Sequence, residues 1–189
     1  VLVVTGTDEN GKDFTRTEYF MVESGNLEES HQINETREFI ANETTIVNAS
    51  EFNTVLNITV PNDLKTSITI TRGNNSNASL FGIPQVGEFV SIDSPEVEEN
   101  NMSARIVVYY DESEINAKGL DESTLRLWYY NATSDGWTKY DTPIGGVDTV
   151  NNYVWAITDH FSVWSIFGST QETDTNTDSP SGGSSSSTK

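Results

Sequence analysis

The sequence predicts an all-β fold, specifically an Ig-like β-sandwich followed by a disordered C-terminal tail. Three observations support this prediction. Short segments alternate between apolar and polar residues with the period of two that strands require. Turn signals separate these segments at intervals of about 10–15 residues. Helical periodicity is weak, and only residues 112–117 form a candidate helical turn, since residues 27–39 are too polar to assign.

The clearest predicted strand covers residues 54–60. Leu56, Ile58 and Val60 share one face of it, and Asn57 and Thr59 share the other. Residues 104–110 form an unbroken β-branched and aromatic run, which is typical of a central strand. The predicted strands cover residues 54–60, 67–71, 104–110, 124–130, 137–140, 153–158 and 161–167. The turns at residues 61–63 and 135–136 separate neighbouring members of this series.

Two parts of the chain differ in composition. We expect residues 1–168 to form one sandwich module, with residues 1–86 and 87–168 as two sub-parts in an alternative division. Residues 169–189 contain no aromatic or aliphatic side chain. Such a segment buries too little apolar area to offset its ordering entropy, so it is predicted to be a disordered Ser/Thr/Gly linker or a glycosylated stalk.

Composition excludes several classes of function. The chain of 189 residues has 10 Lys and Arg against 29 Asp and Glu, a net charge of −19. This charge argues against nucleic-acid partners and against basic attachment to anionic lipid. No apolar run reaches the length of a membrane span, so we expect no membrane insertion in this chain. Cysteine is absent, which excludes disulfides and thiolate sites. The chain begins at Val1, so we expect it to be a processed or excised piece.

Eight Asn-x-Ser/Thr sequons predict N-glycosylation, more than chance placement of the 18 asparagines would give. An Asn- and Thr-rich strand surface without glycans is the alternative. The acceptor asparagines are Asn34, Asn42, Asn48, Asn57, Asn74, Asn77, Asn101 and Asn131.

Candidate catalytic and metal-binding groups are few. His160 follows Asp159, but adjacent strand residues point to opposite faces, so we expect Asp159 not to orient His160 and predict no catalytic residue. We expect His160 to hold a turn at the start of the last strand. No cofactor is predicted. Acidic clusters are weak candidates for Ca²⁺ because calcium needs several converging oxygens. These acids are Asp111, Glu112, Glu114, Asp121 and Glu122, with Asp141 and Asp148 as a further pair.

Aromatic residues concentrate towards the C-terminus, and all four tryptophans lie between residues 128 and 164. In the segment LRLWYY, Leu125 and Leu127 predict the core face. Trp128 and Tyr130 then face outwards and are candidates for stacking on sugars. Burial of the aromatic residues in the sandwich core and at the sheet edges is the alternative.

Residues 87–168 resemble the C-terminal half of the PGF-pre-PGF domain of archaeal, methanogen-type cell-surface proteins. The resemblance is carried by the pieces ARIVVYYDESEI, GLDESTLRLWYYN, DGWTKY and VWAITDHFSVWSIFG in this order. It implies a β-rich fold in the cell envelope and no known catalytic residues.

These observations predict a non-enzymatic structural or interaction module of an archaeal cell-surface or S-layer-associated glycoprotein. Its expected location is extracellular, and its expected partners are other envelope or S-layer proteins, itself, or glycans. Two alternatives stay open: a carbohydrate-binding or adhesion module that uses exposed Trp and Tyr, and an accessory domain of a larger secreted protein.

Overall fold

The computed structural model describes residues 2–7, 11, 13–20, 31–73 and 83–171. This part of the chain is nearly all β, as the sequence predicts. Its strands are β1 (Leu2–Thr7), β2 (Asp13–Phe20), β3 (His31–Phe39), β4 (Thr44–Ala49), β5 (Thr54–Thr59), β6 (Leu64–Gly73), β7 (Gln85–Asp93), β8 (Ser103–Tyr109), β9 (Arg126–Asn131), β10 (Gly136–Lys139), β11 (Gly145–Asp148), β12 (Tyr153–Thr158) and β13 (Val163–Phe167). The helices are α1 (Pro95–Glu99) and α2 (Glu112–Lys118), the second of which was predicted as a turn.

The strands form two antiparallel sheets that pack as a sandwich. Sheet A has the order β1-β2-β3-β6-β7-β13-β9-β10, and sheet B has the order β11-β12-β8-β5-β4. Strand β8 lies at the centre of sheet B between β5 and β12, which confirms the prediction for residues 104–110. Strands from residues 1–86 and from residues 87–168 pair with one another in both sheets, through β5 with β8 and β6 with β7.

The core lies between the sheets and is filled by alternate residues of each strand. Trp164 is its largest fully buried side chain. Leu56, Ile58 and Val60 all face this core, as the alternation of β5 predicts. Leu125 and Leu127 are also fully buried, so the predicted core face of β9 is confirmed.

Strand β3 lies in the segment that was too polar to assign. Its inward positions are Ile33, Glu35, Arg37 and Phe39, and all four are buried. Arg37 forms an ion pair with Glu35 and lies 4.7 Å from the ring centroid of Phe14. The charged pair hides the alternation in the sequence, because both polar residues occupy core-facing positions.

The first three residues of the predicted tail are ordered against residues 119–121. Asp121 donates its backbone N–H to the Ser169 carbonyl at 2.8 Å, and Gln171 donates to the Gly119 carbonyl at 2.9 Å. The prediction of disorder from residue 169 is therefore wrong for these three residues, because backbone bonds order them without apolar burial. Residues 172–189 lie outside the described part of the chain.

Candidate functional site

A second, smaller apolar cluster lies on the outer face of sheet A, away from sheet B. Phe89 on β7 and Phe167 on β13 are its buried members. Trp128 on β9, Trp137 on β10 and Val163 on β13 pack against them and are half-buried. We call this set the outer aromatic cluster. It forms because these strands place aromatic residues at outward-facing positions on neighbouring strands.

Trp128 and Tyr130 both lie on this outer face, at the positions that the alternation of β9 predicts. The Trp128 ring meets Phe167 edge-on with centroids 5.7 Å apart. Trp137 lies 5.7 Å from Tyr130, 5.5 Å from Phe89 and 5.4 Å from Phe167. The two candidate sugar-stacking residues are therefore parts of one packed aromatic group.

A groove of about 340 Å³ adjoins this cluster. Its apolar lining comes from Ile83, Trp128 and Phe167, and it includes two of the chain's ten cations, Arg126 and Lys139. It is lined by Ile83, Ser123, Thr124, Arg126, Trp128, Lys139, Phe167, Gly168 and Ser169. Lys139 lies directly opposite Trp128 in the β9–β10 pairing. An aromatic face beside cations and hydroxyls is an arrangement that can bind a polar ligand with an apolar side.

Asp141 holds both cations of the groove. Arg126 donates from Nε to Asp141 Oδ1 at 3.0 Å, and the Lys139 Nζ lies 2.8 Å from Oδ2. The hydrogen bond from Lys139 and then that from Arg126 hold the pKa of the Asp141 carboxyl well below its ordinary value. The groove therefore keeps two positive charges against one negative charge at neutral pH. The Trp128 indole Nε1 is buried and has no hydrogen-bond partner.

The weak calcium candidates hold local structure together. Asp111 caps the N-terminus of α2 by accepting from the Ser113 backbone N–H at 2.8 Å. Hydrogen bonding to the Ser113 side chain, and then to its backbone N–H, lowers the pKa of Asp111. Asp121 caps the short helix at residues 122–124 in the same way. Glu112 is exposed in the first turn of α2.

The other two candidates in this group also have protein partners. Glu114 accepts from the Gly87 backbone N–H at 3.1 Å and from Lys118 Nζ at 2.6 Å. Glu122 accepts from the Tyr110 hydroxyl at 2.7 Å. Burial and this contact with Glu122 raise the pKa of Tyr110.

Asp141 and Asp148 serve separate loops. Asp148 accepts from the backbone N–H groups of Val150 and Asn151 at 3.1 and 3.0 Å, which builds the turn before β12. Within residues 2–7, 11, 13–20, 31–73 and 83–171, no group of three or more His, Asp or Glu is placed to hold a metal ion.

His160 and Asp159 are closer than predicted. The His160 Nδ1 lies 3.0 Å from Asp159 Oδ1 and 3.1 Å from the Thr158 hydroxyl. The prediction that Asp159 does not orient His160 is wrong, because residues 159 and 160 form a bend after β12 and strand alternation does not apply there. The hydrogen bond from His160 lowers the pKa of Asp159.

The surroundings of His160 are aromatic. Its ring centroid lies 4.7 Å from that of Tyr129 and 6.1 Å from that of Trp164, and its Nε2 is buried without a hydrogen-bond partner. Tyr140 donates to the Thr158 hydroxyl at 2.9 Å, which ties the same bend to the core. The imidazole therefore holds the β12–β13 turn. His31, the other histidine of the chain, lies on β3.

Six of the eight sequon asparagines are described. Asn42, Asn48 and Asn101 are exposed, and Asn34, Asn57 and Asn131 are half-buried. Asn34 donates from Nδ2 to the Thr69 hydroxyl at 3.0 Å, whereas Asn131 uses Oδ1 to accept from the Thr133 backbone N–H at 2.9 Å. Asn74 and Asn77 lie outside the described residues.

Sequence reasoning missed the polar side of the groove. Arg126, Lys139 and Asp141 are spread over 16 positions and meet only through the β9–β10 pairing. Phe89 was missed because no strand was predicted at residues 85–93. One signal for it is present in the sequence. The chain has only ten cationic residues, and two of them, Arg126 and Lys139, lie within the 14 residues that also contain Trp128 and Trp137.

Comparison with known proteins gives no match to a family model, to a curated protein or to a solved structure. In the part of the chain that the structure describes, no helix has the length and apolar character needed to cross a membrane.

Proposed function

We propose that this chain is a non-enzymatic structural and interaction module of an archaeal cell-surface or S-layer-associated glycoprotein. The observation that carries the proposal is that acidic side chains of this chain hold its own helices, turns and strands in place. Asp111 and Asp121 cap helices, Asp148 builds a turn, and Glu114 and Glu122 pin neighbouring elements. Acids used in this way stabilise a sandwich, while the remaining negative charge keeps its surface hydrated.

The proposed location is extracellular, and the proposed partners are other envelope or S-layer proteins or further copies of the chain. The resemblance of residues 87–168 to the PGF-pre-PGF domain supports this location, as does the number of sequons. An accessory role in a larger secreted protein is compatible with the same architecture.

The location is tested by mild protease treatment of intact cells from the natural source. The proposal expects the protein to be released or cleaved while a cytoplasmic marker stays intact. Protection of the protein until the cells are lysed would contradict it. Turnover of any substrate by the purified chain in a panel of hydrolase assays would contradict the non-enzymatic part of the proposal.

A second candidate function, carbohydrate binding, is favoured by the groove beside the outer aromatic cluster. Trp128 supplies an aromatic surface there, and Arg126 and Lys139 supply donors for hydroxyl or carboxylate oxygens. Pull-down on insoluble polysaccharides tests it. Binding that is lost in Trp128→Ala and kept in Val150→Ala, which changes an exposed residue in the turn before β12, would support this function, provided that both variants melt cooperatively. Equal binding by all three proteins would contradict it.

A further inference from the structure

The outer face of sheet B carries apolar residues on four of its five strands. Alternate residues of β12 and β8 point into the core, as Val154, Ala156 and Ile106 do, so their neighbours point outwards. Tyr109 is 43% exposed, Ile157 42% and Ile46 38%. The apolar residues at outward-facing positions are Ile46, Val55, Val107, Tyr109, Tyr153, Trp155 and Ile157. Of these, Val107 is buried, and Val55, Tyr153 and Trp155 are half-buried. The three exposed apolar side chains on one sheet face indicate a contact surface.

The charge of this face is unlike that of the whole chain. The outward-facing positions of its five strands carry one cation, Arg105, and one acid, Asp148, which lies at the end of β11. The chain as a whole has 29 acids. The Arg105 guanidinium carbon lies 5.2 Å from the ring centroid of Trp155 and 5.6 Å from that of Tyr153. The face therefore offers aromatic rings and a donor group, with the carboxylate of Asp148 opposite Tyr153 at its β11 edge.

Two sequon asparagines lie on the same face. Asn57 is on β5, where it pairs directly with Arg105 of β8, and Arg105 in turn pairs with Ile157 of β12. Neighbouring strands are about 4.8 Å apart, so Asn57 and Ile157 are separated by roughly 10 Å across the sheet. Asn48 lies on the edge strand β4 and is exposed. A sugar chain that starts at Asn57 has the apolar strip within reach of its first residues.

We infer that the outer face of sheet B is the seat of the chain's own N-linked glycan, attached at Asn57 and lying across β8 and β12. The inference rests on the proposed surface location, since attachment requires a lipid-linked oligosaccharide donor. The Asn57 Nδ2 forms a bond to the anomeric carbon of the first sugar. The anomeric C–O bond breaks, the lipid phosphate leaves with the electron pair, and the amide proton passes to a base of the transferase.

The attached glycan has two kinds of contact on this face. The apolar faces of its sugar rings cover Trp155 and Ile157, and its hydroxyls accept hydrogen bonds from Arg105. A glycan in this position also prevents flat docking of a second copy. Protein association through this face and occupancy of Asn57 are therefore mutually exclusive.

The experiment uses the full chain secreted from a yeast host that attaches N-linked glycans. The wild type is compared with Asn57→Gln, Trp155→Ala and Thr133→Ala, the last of which removes the sequon of Asn131 on the opposite sheet. Glycopeptide mass spectrometry measures the occupancy of Asn57. Melting temperature is measured before and after endoglycosidase H trims the glycans to a single sugar.

The expected result is an occupied Asn57 and a melting temperature that falls by about 2–4 °C on trimming of the wild type and of Thr133→Ala. The fall is absent in Asn57→Gln and at least halved in Trp155→Ala. An unoccupied Asn57, or a fall that Trp155→Ala leaves unchanged, would overturn the inference. So would concentration-dependent dimerisation of the untrimmed protein with Asn57 occupied that Trp155→Ala abolishes, which would identify a second copy as the occupant.

These failures are separable from failure of the proposed function. Occupied sequons elsewhere with a bare Asn57 would leave the surface glycoprotein proposal standing. A protein from the natural source that resists protease on intact cells, or that carries no glycan at all, would count against that proposal as well.

Discussion

The outward-facing aromatic residues of the two sheets differ in how far neighbouring side chains bury them. On sheet A, the outer aromatic cluster buries its own members: Phe167 is 1% exposed and Phe89 is 5% exposed. On sheet B, Trp155 and Tyr153 share contacts with Arg105, and Tyr109 and Ile157 stay exposed. The same alternation thus gives a second core on one side and exposed apolar side chains on the other.

The cause of the difference is the neighbouring strands. Sheet A brings Phe89, Trp128, Trp137 and Phe167 together from β7, β9, β10 and β13, so that aromatic rings cover one another. Sheet B has smaller residues beside its rings, including Gly146 opposite Trp155 and Val107 on β8. Outward orientation therefore does not by itself identify a binding residue, because the neighbouring strands decide whether an outward ring is covered.

The largest expected effect comes from removing the centre of the sheet A cluster. Phe167→Ala should lower the free energy of unfolding by about 3–5 kcal/mol, since it deletes a fully buried ring and leaves a cavity. Urea unfolding followed by tryptophan fluorescence measures this loss. A loss below about 1 kcal/mol would mean that the cluster is not a packed core.

A smaller loss of stability is expected for Asp141→Asn, and the size of this loss should depend on pH. The pKa of Asp141 is lowered in the folded state, so its stabilisation is complete above the unfolded-state value of about 4. It is lost as the pH falls through the lower folded-state pKa. The difference in melting temperature between wild type and variant should therefore be largest near pH 7 and shrink below about pH 4.

Glu99→Gln, which changes an exposed carboxylate on α1, is the control for this pH series. A difference between wild type and Asp141→Asn that is constant from pH 7 to pH 2 would show that the contacts with Arg126 and Lys139 do not stabilise the fold.

A still smaller effect is expected on the open face of sheet B. Ile157→Thr keeps the β-branch and changes an exposed position, so the unglycosylated chain should lose about 0.5 kcal/mol or less. The same urea titration serves for this variant. A loss comparable to that of Phe167→Ala would remove the contrast between the two faces.

No effect is expected from calcium. The candidate acids already accept protein hydrogen bonds, namely Asp111, Glu114, Asp121 and Glu122. The melting temperature should therefore be the same in about 5 mM Ca²⁺, which exceeds the dissociation constant of a weak extracellular site, as in EDTA. A calcium-dependent rise in melting temperature that disappears in Asp121→Asn would show that these acids bind the ion.

Much of the sandwich could be predicted where strands alternate cleanly. Residues 54–60 and 153–158 were placed correctly because their apolar residues occupy every second position. Strand β3 was missed because Glu35 and Arg37 satisfy each other inside the core. Strands β7 and β11 are interrupted by glycines at Gly87 and at Gly145–Gly146, which weakens the pattern.

The candidate sites were less accessible to prediction. The outward positions of Trp128 and Tyr130 follow from the alternation of β9, but their packing on Phe167 and Trp137 depends on strand order, which no local pattern contains. The link between Asp159 and His160 was missed for a different reason. A bend replaces the strand there, and a rule for strands gave the wrong orientation.

The most direct test of the surface-module proposal is the intact mass of the protein purified from its natural source, followed by mapping of the modified peptides. The proposal predicts a mass above that of the polypeptide by regular sugar increments, and the inference about sheet B adds that one glycan lies on the peptide that contains Asn57. A mass equal to that of the bare polypeptide would contradict it.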